Sequence, residues 1–290
     1  MIAPFWLRAA LALLCSCGIE AGAAALPLTD PAVAQTPVAL IENFTREVRP
    51  FLTIPEPDSR AYAGQLQAAL DDGRIEVISQ QFIVLVDRNP HVQALLLFWG
   101  RPGSGWHLIG ATPVSTGLPG KFEHFLTPLG VFEHSRENPD FRATGTKNKL
   151  GIRGYGAIGS RIYDFGWVKS VRGWGNGGAG ELRFQMHSTD ADRLEQRLGT
   201  AQSEGCVRIP AALNAFIDHY GLLDEDYDRV VAAGTHLRIL RADRAPTAWP
   251  GRYLVVVESA GEIRPDWSPA PLVGRGTGVP AIPAKTRTLR

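Results

Sequence analysis

The chain has 290 residues, 30 basic and 29 acidic side chains, a net charge of +1 and 44% hydrophobic content. That is the composition of an ordinary globular protein, long enough for one large domain or two small ones. A near-neutral balance without basic runs argues against a nucleic-acid partner.

Arg8 ends a short n-region, and an apolar run from Ala9 to Cys17 follows. Small residues at 21–25 offer A-x-A cleavage sites ending at Ala23 or Ala25, so residues 1–25 read as a secretory signal peptide. The run is too short to span a bilayer. A rival reading is a lipoprotein signal, in which Cys17 carries a lipid and supplies the only membrane contact. Both readings export the mature chain, to the periplasm or cell envelope.

Residues 26–80 read as a linker and an N-terminal helical cap. Pro27, Pro31 and Pro37 mark the linker, and Leu40, Ile41, Phe44 and Val48 then keep a helical spacing until Pro50. A second helix is expected from an N-cap at Asp58 to Leu70. Its stripe is Tyr62, Leu66 and Leu70, and Gly73 stands at the C-cap.

From Gln81 the pattern turns to strands. Residues 82–86 and 92–99 make a hairpin about the turn at 87–90, and further strands are expected at 106–109, 113–117 and 182–186. The stretch 145–180, rich in glycine with Tyr155, Tyr163, Trp167 and Trp174, reads as hairpins and long loops rimming a site. Asp190 and Asp192 begin a short helix through Leu194 and Leu198. The best-specified helix follows Pro210: Leu213, Phe216, Ile217 and Tyr220 form one stripe, and Gly221 ends it. Strands are expected again at 236–240 and 253–257. The fold class is therefore mainly β with peripheral helices, a β-sandwich or barrel-like sheet behind a short helical cap. The main domain is placed at 81–242. Residues 243–290 hold a C-terminal strand and a Pro/Gly-rich tail expected to be disordered or loosely draped.

Cleavage of the leader removes Cys15 and Cys17 and leaves Cys206 without an intrachain partner. Such a thiol is buried and inert, paired to another molecule, or kept as a nucleophile. As a nucleophile it needs a nearby base or a positive environment. The best base is His187, nineteen positions upstream at the end of a strand-like run. On these residues alone, a Cys/His pair stands level with a buried thiol and a structural histidine.

The run His187-Ser188-Thr189, followed by Ser203-Glu204-Gly205-Cys206-Val207-Arg208, resembles the signature of L,D-transpeptidases with a YkuD-type catalytic domain. Pro113-Val114-Ser115-Thr116-Gly117 and Thr127-Pro128-Leu129-Gly130-Val131-Phe132 resemble two further landmarks of that family, in the same order. The similarity covers roughly residues 80–240. It implies that Cys206 forms a thioester with a peptidoglycan stem peptide, that His187 moves the proton and that the Ser188 carbonyl orients the imidazole. Main-chain N–H groups around Gly205 and Cys206 would hold the oxyanion. Arg208 would hold a substrate carboxylate or brace the loop, with Ser203 and Glu204 beside it at the substrate. Gly205 would be required because a side chain there would crowd the acyl group.

Glu204 departs from the His, Arg or Tyr of many relatives. A carboxylate beside the nucleophile opposes thiolate formation unless it is paired, for example with Arg208. It could also recruit an acceptor amine or activate water. The implied function is an exported cysteine L,D-transpeptidase. It would release D-alanine from a stem tetrapeptide and transfer the acyl group to an amine, on another stem or on an anchored protein. Two alternatives remain: an L,D-carboxypeptidase or cross-link hydrolase using water, and an inactive wall-binding module. No cofactor or metal is implied, since the remaining histidines lack ligand spacing.

Overall fold

The computed structural model describes residues 36–271. The leader, both of its cysteines, most of the linker and the tail from 272 onward lie outside the described residues. Helix α1 (Pro37–Glu47) begins where the Thr36 hydroxyl accepts the Ala39 N–H at 3.3 Å and Pro37 takes the first turn. Helix α2 (Glu56–Asp72) starts two residues before the expected cap, so Asp58 lies within its acidic first turn, and Tyr62, Leu66 and Leu70 are buried as their spacing requires.

Nine strands follow: β1 (Gln81–Asp87), β2 (Ala94–Arg101), β3 (Gly105–Pro113), β4 (Gly130–Glu133), β5 (Phe141–Arg142), β6 (Arg161–Val171), β7 (Ala179–Ser188), β8 (Val207–Ile209) and β9 (Tyr253–Val257). They form two mixed sheets, β3-β2-β1-β9-β4 and β5-β6-β7-β8. Helices α3 (Ala211–Tyr220) and α4 (Glu225–Ala232) lie between β8 and β9.

Strand β1 shows why the layers stack. All seven of its residues are buried, the mark of a strand covered on both faces. Phe82, Val84 and Val86 point into the core shared with Phe184, Met186 and Val207 of the second sheet and with Leu213, Phe216 and Ile217 of α3. Ile83 and Leu85 point the other way, onto Tyr62, Leu66 and Leu70 of α2. Phe44 of α1 closes the first core with its ring 5.4 Å from Phe216, edge to face. Gly110 on β3 makes room for it, since a Cβ there would come within 2.2 Å of the Phe44 ring.

A buried charge cluster ties β5 and β6 to the C-terminal helices. The fully buried Arg161 binds Asp140 at 2.6 Å, Asp224 at 2.7 Å and Asp218 at 3.3 Å. His134, also fully buried, directs Nδ1 at the Leu223 carbonyl (2.8 Å) and Nε2 at Asp140 (2.9 Å). Both partners are acceptors, so both ring nitrogens must carry hydrogen and the imidazole is a cation. Burial works against that charge, but the Asp140 carboxylate outweighs it and the His134 pKa is raised.

Two expectations need correction. Residues 236–240 form turns rather than a strand, and the Ile239 carbonyl accepts from Arg142 Nε at 3.0 Å instead of joining a ladder. The segment after Asp190 makes only a 3-10 turn (Glu195–Arg197), although the Asp190 carboxylate accepts the N–H groups of Asp192 and Arg193 as an N-cap would, and that of Arg153 as well. Helix α4 was not expected, although its first turn carries Glu225, Asp226 and Asp228, which suit a helix N-terminus. No helix among the described residues is long and apolar enough to cross a membrane.

Candidate active site

Strands β7 and β8 run parallel, with Met186 opposite Val207 and His187 opposite Arg208. Met186 and Val207 are fully buried in the core. Alternation along the pleat therefore sends Gln185, His187 and Arg208 to the opposite face. Cys206 immediately precedes β8 and continues that face. Its half-buried thiol rests on the edge of β7, 3.7 Å from the Arg183 carbonyl, with the Gln185 main-chain N–H also against the sulfur.

The turn carrying the thiol is held from several sides. The Ser203 hydroxyl donates to the Cys206 carbonyl at 2.6 Å and accepts the Gly205 N–H at 3.1 Å. The Thr116 carbonyl accepts the N–H groups of Gln202 and Ser203, and Ser115 exchanges two main-chain hydrogen bonds with Arg208. The stretch expected as a strand at 113–117 thus leaves the first sheet at Pro113 and crosses to the nucleophile turn. Thr127 adds a clamp: its Oγ1 donates to the Gly205 carbonyl at 2.7 Å and accepts the Gly117 N–H at 2.9 Å. Gly205 itself has φ +130, and a Cβ there would meet Leu182 at 3.1 Å and Phe125 at 3.2 Å. Backbone conformation and these two neighbours explain the glycine.

His187 is 4% exposed. Its Nδ1 lies 2.7 Å from the Ser188 carbonyl, so that nitrogen carries the hydrogen and Nε2 is left as an acceptor. Burial, with a further push from the Arg208 charge, lowers its pKa to about 4 against the opposing Ser188 hydrogen bond. Burial likewise raises the Cys206 thiol to about 11, Glu204 adds to the rise, and Arg208 and the Gln185 N–H oppose it. At neutral pH the resting pair is a neutral thiol and a neutral imidazole rather than an ion pair.

The expectation of substrate contact fails for Ser203, which is fully buried and uses its hydroxyl inside the turn. The Gly205 N–H is committed to that hydroxyl as well. Arg208 donates to the Gln202 carbonyl at 3.2 Å, a bracing contact. Of the pairings open to Glu204, the one with Arg208 is not made, and Glu204 is exposed without an ion pair among the described residues.

The structure adds residues outside the sequence motifs. Tyr155 packs its ring edge-on against His187 at 4.6 Å and donates to Gln185 Oε1 at 3.0 Å. The Gln185 amide and Arg183 Nε both donate to Asp164 Oδ2 at 2.7 Å, and the Asp164 N–H reaches Asp140 in the buried cluster at 3.0 Å. Arg183 and Gln185 alternate with Leu182, Phe184 and Met186 along β7, a period-2 signal that marks them as facing away from the core. Nothing comparable in the sequence pairs them with Asp164.

A family model described as the L,D-transpeptidase catalytic domain, YkuD, matches residues 81–234. No curated protein matches with significance. Among solved structures, a fused Zn-dependent amidase/peptidase/peptidoglycan-binding domain-containing protein from Clostridium acetobutylicum aligns at 13% identity. The alignment spans 71% of this chain and 64% of that one, with a TM-score of 0.28. The helical cell shape determining protein Pgp2 from Campylobacter jejuni aligns at 17% identity over 70% of this chain and 58% of its own, with a TM-score of 0.27. The chain thus spans less than two thirds of the length of either.

Proposed function

The chain belongs to the family of L,D-transpeptidase catalytic domains, matched over residues 81–234, and from that premise we propose that Cys206 and His187 catalyse acyl transfer on peptidoglycan stem peptides. The observation that carries the proposal is the His187–Ser188 hydrogen bond of 2.7 Å, which frees Nε2 as a base on the face that bears the thiol.

Attack begins as Nε2 takes the thiol proton and sulfur bonds to the carbonyl carbon of the third stem residue. The tetrahedral oxyanion is held by main-chain donors of the nucleophile turn, with the Cys206 N–H the donor we assign, since that of Gly205 is engaged. The C–N bond then breaks, Nε2–H protonates the departing amine of D-alanine, and a thioester remains. An acceptor amine repeats the sequence in reverse, losing its proton to Nε2 as the new amide forms and the thiol is restored. The acceptor is an amine of a second stem or of an anchored protein. Because the substrate is wall material, we propose export to the envelope, supported by the leader-like composition of residues 1–25.

Incubation of the protein with disaccharide tetrapeptides, read by mass spectrometry, tests this reading. Cross-linked dimers and free D-alanine are expected. Shortened stems without dimers would replace the acceptor amine by water. Identical products from the wild type and Cys206→Ala would reduce the protein to a wall-binding module.

A further inference from the structure

The nucleophile turn has two walls. Tyr155 forms one. The other is a ridge of edge-packed rings, in which Trp174 lies 4.9 Å from Phe125 and 5.7 Å from Phe122. The ridge is stitched to the turn, since the Phe125 N–H donates to the Glu204 carbonyl at 3.1 Å. Phe122 stands 74% exposed at its outer end, next to the exposed Lys121 and Glu123.

Glu204 joins the ridge to the thiol. It is exposed and has no ion pair among the described residues, although Arg183 and Arg208 belong to the same neighbourhood. Arg183 is paired with Asp164, and Arg208 turns its Nη1 to the Gln202 carbonyl, so neither forms an ion pair with Glu204. Its negative charge is felt at Cys206, Tyr155 and Arg208, which places the carboxylate in the field of the cleft. An uncompensated carboxylate beside a thiol hinders acylation. A cationic occupant would cancel that charge; the Trp174 ring already carries the Arg172 guanidinium 5.9 Å from its centroid, so the exposed Phe122 is the ring left open to the chain that bears the cation.

We propose that Glu204 and the Phe122–Trp174–Phe125 ridge form the acceptor subsite, taking a peptide chain that bears a primary ammonium. Glu204 draws the ammonium in beside the thioester, and the chain behind it lies along the ridge. The ammonium sheds one proton to solvent to become the free amine; as it attacks the thioester carbonyl, the amine passes a second proton to His187, which hands it to the departing Cys206 sulfur. The inference rests on the proposed transfer reaction and names the side of the thiol from which the second substrate enters.

The test is a two-step chase. The acyl-enzyme is formed with an N-acetylated disaccharide tetrapeptide, then chased either with a stem peptide carrying a free side-chain amine or with hydroxylamine, which is uncharged at neutral pH. Glu204→Gln is expected to raise the half-saturating concentration of the amine stem on the order of tenfold, as loss of one charge-assisted contact implies. The hydroxylamine chase should keep its wild-type rate, and Glu204→Asp should restore amine use. Added salt should weaken amine saturation in the wild type but not in Glu204→Gln. Phe122→Ala, at an exposed position that the fold does not need, should also weaken the stem chase alone. Unchanged saturation in Glu204→Gln and in Phe122→Ala would overturn the subsite while leaving the acyl-enzyme chemistry standing. Failure to form any acyl-enzyme would instead overturn the transfer reaction, and the subsite with it.

Discussion

The Nδ1–H of His187 is bonded to the carbonyl oxygen of Ser188, its neighbour in the chain, at 2.7 Å. A main-chain carbonyl carries no full charge, so it fixes the tautomer of the imidazole without stabilising an imidazolium as a carboxylate would. The pair therefore rests uncharged and transfers its proton only as the substrate is attacked.

That arrangement sets the acid limb of the pH–rate profile. His187 is a base only while neutral, and burial lowers its pKa to about 4. The kcat/KM for acylation should stay level down to mildly acidic pH and fall as pH drops through about 4. An acid limb near the ordinary histidine value of about 6.5 would show that the ring is solvated in the working enzyme.

Replacing His187 by Ala should slow thioester formation by roughly 10²–10⁴-fold, the usual worth of a general base. The adduct formed with a carbapenem-type acylating agent, followed by intact-protein mass spectrometry, measures that rate. It should be absent altogether in Cys206→Ser. A near-normal rate in His187→Ala would move the base elsewhere.

Two buried histidines give the stability profile opposite slopes. His187 has its pKa lowered in the fold, so its contribution is complete above the unfolded value of about 6.5 and is lost as pH falls toward about 4. His134 has its pKa raised, so its contribution is complete below about 6.5 and is lost as pH rises through the folded value. Urea midpoints measured against pH should reveal both limbs. His134→Gln should flatten the alkaline limb and His187→Gln the acid one; a shared response in both variants would contradict the assignment.

Thr127→Val should cost about 1–3 kcal/mol, because it strands the buried Gly205 carbonyl and Gly117 N–H together. Thr127→Ser keeps the hydroxyl and should recover most of that loss. Denaturation midpoints for the two variants separate the hydrogen bonds from the methyl group.

The fold was legible where a local pattern carries the signal. The stripe Tyr62, Leu66, Leu70 and the run from Phe82 to Val86 state their own periods, and the structure buries them as those periods require. The Cys206 and His187 segments stood out through their resemblance to a family signature; the residues alone left a Cys/His pair level with a buried thiol and a structural histidine. The network around them was not. Tyr155, Asp164 and Gln185 come from a loop and two strands, and only the register of β6 on β7 brings the last two together. Ser203 looked like a substrate contact because it neighbours the thiol in sequence, yet the turn folds its hydroxyl inward. Residues 236–240 have the apolar content of a strand, but pairing is a property of the partner edge, which a single segment does not encode.

The position of β9 bears on how the chain reaches this state. Tyr253–Val257 slots between β1 and β4, parallel to the former and antiparallel to the latter. During synthesis, the first sheet must therefore wait with an open seam until residue 257 has left the ribosome. By then the cysteine turn has been outside for some fifty residues. Contacts this distant in sequence are slow to close and leave strand edges exposed meanwhile. A chain that stops at 242 would carry every residue of the nucleophile turn and still lack the strand that zips its scaffold shut.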